Sequence, residues 1–318
     1  MNPPNQSSRS RPVGLHHISV MTREPQPNYA FFVAGLGLRL VKKTVNQDDP
    51  GVYHLYYGDR TGRPGTGLTF FPWTHLAPSH PGWNEHGPIG LRVPPGSLDF
   101  WRERLIALGL TPTTRDWFGQ PEVRFNAPDG TALSFVEGED GHTLVDPWGT
   151  AAVPVEHSFR GFHYAEARLR SPEATDRLFT EVLGFNRERA DGNSQRYDTG
   201  EGSDQFFVLT ADPLGPRARA GSGTVHHVAF RVPDDATHAA VRERLLAAGL
   251  QVTPVIDRFY FKAIYFRDPN GLLFEIATDP PGFALDEAEA HLGETLALPP
   301  FLENRRAEIE RSLPPLEA

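Results

Sequence analysis

The chain has 318 residues, with 31 Lys plus Arg against 40 Asp plus Glu and a formal charge of −9; at about 150 residues per domain this suggests two domains with room for buried cores. Without a basic run, nucleic acid and anionic membranes are poor partners, and no stretch of about 18 apolar residues is present to span a bilayer. Cysteine is absent, which removes disulfides, thiolate metal sites and cysteine nucleophiles and leaves metal chemistry to Asp, Glu and 13 histidines.

Residues 1–13 are polar and rich in Pro, Ser and Asn, without the apolar centre of a signal peptide, so a flexible tail and a cytoplasmic location are expected. Four repeats follow, each a short apolar strand, a helix-length stretch closed by glycine, and further strands between Gly/Pro/Asp turns. The first takes Gly14–Met21 as strand, a helix from Pro27 to Ala34, then strands Leu38–Val45, Gly51–Gly58 and Gly67–Trp73. The second takes Ile89–Val93, a helix from Ser97 to Leu108, then Thr113–Trp117, Glu122–Asn126 and Thr131–Val136. The third takes Gly161–Leu169, a helix from Ser171 to Leu183, then Arg196–Tyr197 and Asp204–Leu209. The fourth takes Thr224–Val232, a helix from Asp234 to Ala248, then Val252–Ile256, Ala263–Arg267 and Leu272–Ala277.

Ser171 and Asp234 suit helix N-caps, with Pro172 at a first helical position and glycine after both helices. The expected fold is therefore α+β: four βαβββ modules forming two cup-shaped mixed sheets with helices outside. The expected division is an N-terminal domain (14–137), a linker (138–156), a C-terminal domain (157–283) and an arm (284–318). In the arm, Leu285–Leu292 and Phe301–Leu313 read as short helices around Pro299-Pro300, the second with Asn304, Glu308 and Arg311 on its polar side. The arm carries eight carboxylates and three arginines; packing over a module or across a subunit boundary is its expected use, and a homodimer is compatible with it.

Two His-His pairs open strands of matching sequence, Leu15-His16-His17-Ile18-Ser19-Val20 and Val225-His226-His227-Val228-Ala229-Phe230. Strand alternation puts Ile18, Val20, Val228 and Phe230 toward a helix, and His17, Ser19 and His227 into a cup. Glu275, set between Phe274 and Ile276, points into the same cup and needs a partner there, because an unpaired buried carboxylate is costly. Two histidines and one carboxylate on one cavity match a facial triad with open metal positions; ordinary sheet polar groups satisfied by their neighbours are the alternative reading. The ligands meet only if modules one and four share a cup. Module three has His163 at the aligned place but no closing carboxylate, so the second cup is expected to be metal-free. His54, His75, His80, His86 and His142 lie in or near loops and read as mostly solvated.

The Asp268-Pro269-Asn270-Gly271 turn, followed by Phe274-Glu275 and paired with His226-His227-Val228, resembles the vicinal oxygen chelate (glyoxalase/extradiol dioxygenase) superfamily across all four modules. A closer likeness, to ring-cleaving dioxygenases acting on hydroquinones, rests on residues 14–19, 257–261, 264–267 and 273–278. That resemblance implies Fe(II), with Mn(II) as the substitute, held by His17, His227 and Glu275. It implies second-shell and substrate contacts from His16, His226, Arg258 and Tyr265, with Ser19 lining the pocket. Arg258 would hold a phenolate or polarise oxygen, Tyr265 would donate to a developing oxyanion, and His226 would move a proton. Strand parity alone sets His16 and His226 on the opposite face, and a bulge would be needed to turn them inward. The implied activity is extradiol-type opening of a hydroquinone-like diol with insertion of both oxygen atoms, small aromatic and O2 being the partners. A glyoxalase-like isomerase or lyase and a non-catalytic aromatic-binding module are the alternatives. A catechol dioxygenase differs in substrate geometry, and its metal site would normally fall in modules three and four.

Overall fold

The computed structural model describes residues 10–138, 145–200 and 204–317. The first repeat comprises β1 (Leu15–Thr22), α1 (Pro25–Tyr29), β2 (Arg39–Asn46), β3 (Asp49–Gly58) and β4 (Gly67–Pro72). The second comprises β5 (Glu85–Val93), α2 (Leu98–Ala107), β6 (Thr113–Trp117), β7 (Gln120–Asn126) and β8 (Ala132–Glu137). The third has β9 (Phe162–Leu169), α3 (Glu173–Arg177), β10 (Asn186–Asp191), β11 (Ser194–Asp198) and β12 (Phe206–Ala211). The fourth has β13 (Val225–Val232), α4 (Asp235–Ala247), β14 (Ile256–Asp257), β15 (Phe261–Arg267) and β16 (Leu273–Pro281), and α5 (Arg306–Ser312) lies in the arm.

Two eight-stranded sheets result, in the orders β14-β15-β16-β13-β1-β4-β3-β2 and β10-β11-β12-β9-β5-β8-β7-β6. Modules one and four therefore share one sheet and modules two and three the other, the pairing that the two-histidine, one-carboxylate arrangement required. Each sheet has an antiparallel seam, β1 on β13 and β5 on β9, flanked by parallel pairs. The helical segments pack on aromatic rows of the sheets. Phe32 lies against Phe70 at 4.5 Å between ring centres and Trp101 of α2 stacks on Phe135 at 4.0 Å. Phe179 meets Phe207 of one sheet at 5.0 Å and Phe230 and Phe274 of the other at 6.0 and 5.8 Å, so both sheets share one core.

Several elements differ from expectation. The helical stretches of repeats one and three end in wider π turns, Ala30–Gly35 and Leu178–Leu183, which turn Phe31, Phe32, Leu178, Phe179 and Leu183 all inward. Asp234 does cap its helix, accepting from the Thr237 amide at 2.7 Å, whereas the cap of α3 is Pro172, so Ser171 lies outside the helix. Strand β10 is an additional, wholly exposed edge strand. Leu285–Leu292 forms two separate 3-10 turns, Phe283–Leu285 and Glu289–His291, in place of one helix. Between them lie the partners of buried Lys42, which binds Asp286 at 2.6 Å and also Glu287. Among the described residues no helix is long and apolar enough to cross a membrane.

Candidate metal centre and active site

His17 on β1, His227 on β13 and Glu275 on β16 come from three neighbouring strands at the seam of the first sheet. Their placement follows the strand pleat: Ile18, Val228, Phe274 and Ile276 are sealed in the core, and the residues between them face the cup. His17 Nε2 stands 3.2 Å from His227 Nε2, and Glu275 Oε2 stands 3.3 Å from the first and 3.0 Å from the second. All three side chains are buried, Glu275 completely.

This triangle fits a divalent ion. Neither Glu275 oxygen accepts a well-formed hydrogen bond, so its contacts with the two imidazoles are electrostatic. Fully buried, such a donor set is costly unless a cation neutralises it, and edges near 3 Å are what neighbouring donors give around an ion with bonds of about 2.0–2.2 Å. Burial alone would raise the Glu275 carboxyl; the adjoining imidazoles outweigh it and hold the group well below the usual carboxylate range. Burial lowers His227 despite Glu275, which favours the neutral imidazole a metal needs.

The parity conflict over His16 and His226 is resolved by two bulges. Along β1 on β13, Leu15 faces Phe230 and His17 faces Ala229, so His16 is an extra residue; Ser19 faces His227 and Val20 faces Val225, so His226 is another. Each bulge brings two consecutive imidazoles together. His16 Nδ1 lies 2.9 Å from His17 Nδ1, and His226 Nδ1 lies 2.8 Å from His227 Nδ1. With an Nδ1 proton on the inner ring of each pair, the outer ring accepts it and the inner Nε2 lone pair is left for a metal. The outer rings differ in access. His16 is buried against Phe261, beside the Thr278 backbone. His226 lines the cavity above the triad, and burial, with His227 beside it, lowers its imidazolium to about 3.

That cavity measures about 430 Å³ and is walled by Tyr56, Phe71, Trp73, Tyr260 and Phe261, with Arg258 and Tyr265 on one side. Tyr265 faces Glu275 across the β15–β16 ladder and accepts from Arg258 Nε at 3.2 Å; burial and the Glu275 charge raise its phenol well above the ordinary value, so it stays a donor. Arg258 also pairs with Asp48 at 2.9 Å, and its carbonyl accepts from Gln47, which ties the β2–β3 turn to the β14–β15 turn. Ser19 lies beneath the floor, fully buried, with its hydroxyl 2.7 Å from that of Thr69.

His54, inside the expected strand Gly51–Gly58, lies on β3 and lines this cavity instead of facing solvent, and His86, on β5, is a strand residue buried against Leu273 O at 3.0 Å. His54 sits two positions from Tyr56 on one face of its strand, an alternation that marks a cup-facing residue. His75 and His80 lie outside helices and named strands, and His142 lies outside the described residues. Among the described residues the second cup holds no comparable space. Tyr164 fills it over Gly90 and donates to Glu122 at 2.9 Å, and the remaining cavity beside His163 is about 10 Å³.

The sequence profile of the Glyoxalase/Bleomycin resistance protein/Dioxygenase superfamily matches residues 161–276. A Bacillus subtilis (strain 168) protein provisionally named ring-cleaving dioxygenase MhqA is 42% identical over 313 residues, spanning 96% of this chain and 99% of its own. A Sphingobium indicum protein named chlorohydroquinone/hydroquinone 1,2-dioxygenase is 36% identical over 310 residues, spanning 94% and 95%. Among solved structures, a provisionally named dioxygenase from Bacillus subtilis superposes with a TM-score of 0.90 at 40% identity, over 97% of this chain and 98% of its own. Glyoxalase I from Zea mays shares the fold, with a TM-score of 0.62 at 14% identity over 84% and 92%.

Proposed function

The chain belongs to the glyoxalase/bleomycin resistance protein/dioxygenase superfamily, and on that premise we propose that it is a ring-cleaving dioxygenase that opens a hydroquinone-like para-diol with Fe(II) held by His17, His227 and Glu275. The observation that carries this reading is the buried triangle of two imidazoles and one carboxylate at the base of an aromatic-walled cavity. The relatives named for ring cleavage, one of them for hydroquinones, support the same chemistry. The triad has three members among the described residues, which suits a centre that keeps positions open for reactants.

Bound Fe(II) would lower the pKa of a phenol and supply the redox contact between an electron-rich ring and dioxygen. The protein's own residues do the rest. Tyr56, Phe71 and Phe261 hold a ring in a dry slot, with reactants kept in contact rather than free to diffuse. His226, whose Nδ1 lone pair is taken by the His227 proton, is neutral with its own proton on Nε2, and moves that proton to the oxygen that gains charge in the cavity. His16 does not reach the cavity; it fixes the tautomer and orientation of His17. Arg258 and the Tyr265 hydroxyl are two donors on one side of the slot, suited to the charge that develops on oxygen as the ring opens, with the product an open-chain acid cleaved beside one hydroxyl. Ser19 acts on the slot from beneath, through Thr69.

The test is oxygen uptake by protein reconstituted anaerobically with Fe(II) and offered methylhydroquinone and catechol side by side. Uptake with the hydroquinone is expected, together with loss of both retained iron and uptake in Glu275→Gln. Uptake with catechol alone would overturn the para-diol assignment, and full activity of Glu275→Gln would overturn the metal site.

A further inference from the structure

We infer that His54 recognises the second, distal hydroxyl of the diol and so sets the preference for a ring with two hydroxyls over one with a single hydroxyl; this rests on the ring-diol reading of the site. His54 is not part of the triad or its bulged partners. It stands on β3, on the wall of the same cavity, wedged between Tyr56 and Phe71 at 3.9 and 4.1 Å between ring centres, with the rings tilted by 36° and 33°. That sandwich fixes the plane of the imidazole. Its Nε2 is fixed as well, 2.9 Å from the Thr69 hydroxyl, which lies 2.7 Å from the Ser19 hydroxyl. The side chain therefore has one polar atom left over, Nδ1, which has no hydrogen-bond partner within the protein among the described residues. Elsewhere the β3 and β4 side of the cavity presents aromatic faces, Tyr56, Phe71 and Trp73. A polar nitrogen held rigidly in an apolar wall selects for a polar atom on the ligand, because an apolar one leaves it unsatisfied.

The chemistry of the chain Ser19–Thr69–His54 points to a hydroxyl in particular. Burial keeps the imidazole neutral, so one nitrogen carries the proton and the other a lone pair. If Thr69 donates to Nε2, the Nδ1 proton points to the ligand; if Nε2 donates to Thr69, Nδ1 offers a lone pair. A ligand hydroxyl satisfies both arrangements, since it donates and accepts, whereas a ring halogen or a methyl group satisfies neither well. With one phenol oxygen at the metal, the para oxygen lies across the ring, on the side away from the triad. The expected strand Gly51–Gly58 contains His54, but its role depends on the sheet that brings β3 beside β4, which local sequence does not show.

The experiment is calorimetric titration of the metal-loaded protein under argon with methylhydroquinone and with 3-methylphenol, which keeps one hydroxyl and lacks the other. The wild type should bind the diol about tenfold or more tightly than the monophenol, the scale of one buried hydrogen bond. His54→Phe, which keeps the ring contacts, should narrow that ratio to about twofold while binding of the monophenol changes little. His54→Asn, which keeps a polar atom, should recover part of the preference, and both variants should melt as the wild type does. An undiminished diol preference in His54→Phe with normal melting would overturn the assignment alone, and so would an undiminished preference in His54→Leu, which also removes the polar atom, if the Phe variant does not fold. Failure of the wild type to bind either phenol would overturn the ring-diol reading together with it.

Discussion

His16 and His226 occupy equivalent bulges but different surroundings, and their substitution should separate two kinds of second-ring histidine. His16 touches His17 and the Thr278 backbone and is shielded from the cavity by Phe261. Removing it frees the His17 ring, and losses of about 10- to 100-fold in metal affinity are the scale for such supports. His16→Ala should therefore lose metal on dialysis yet recover most of its kcat when metal is saturating. His226 lines the cavity and is neutral, with its Nδ1 taken up by His227 and, on the proposed reading, an Nε2 proton to give. His226→Ala should lower kcat by about 10²- to 10⁴-fold at saturating metal, the range for general acid–base catalysis. Metal titration combined with turnover at saturating metal checks both; a kcat loss in His16→Ala as deep as that in His226→Ala would show that both rings handle the proton.

At the scale of elements, the buried clamp between β2 and the arm makes a second prediction. Lys42 is fully buried, lies 4.7 Å from the centre of the Tyr260 ring, and is neutralised by Asp286 and Glu287 of the arm. Removing the cation leaves two largely shielded carboxylates facing each other, and one-sided removal of a buried pair costs about 3–5 kcal/mol. Lys42→Ala should lose stability on that scale in urea unfolding, whereas Arg305→Ala, which breaks the exposed pair with Glu308, should lose less than about 1 kcal/mol. Equal losses would mean that the arm does not depend on its clamp. The clamp also explains why the arm was hard to read. Leu285–Leu292 has helical spacing, but the chain there follows the ammonium group of a residue more than two hundred positions earlier. Other elements were legible for the opposite reason: α4 carries its own cap and stop, and the pleat of β16 alone sets Glu275 against Phe274 and Ile276. Strand β10, Asn-Arg-Glu-Arg-Ala-Asp, shows no apolar alternation because an exposed sheet edge needs none and is safer without it. The bulges were invisible for a further reason, since an extra residue exists only relative to the partner strand.

Across the whole molecule the arrangement of modules decides where metal binding acts. His17 belongs to the first module and His227 and Glu275 to the last, so the ligands close the β1–β13 seam between segments about two hundred residues apart in sequence. The second sheet makes the same seam, β5 on β9, with packed side chains, Tyr164 filling the place where the first sheet keeps a cavity. On the proposed reading one sheet would be held partly by an ion and the other by its own packing. Binding of an ion at a hundred times its dissociation constant adds about 2.7 kcal/mol to the state that holds it, and sub-global openings that separate β1 from β13 must release it first. Removing the metal with a chelator should speed amide exchange along β1, β13 and β16, while β5, β8, β9 and β12 exchange at nearly their former rates. Hydrogen exchange followed by mass spectrometry on the intact chain, with and without metal, measures this directly. Exchange that rises equally in both sheets would mean that the shared core of Phe179, Phe207, Phe230 and Phe274 couples them into one opening unit, and unchanged exchange along β1 would mean that the ion does not bridge the seam.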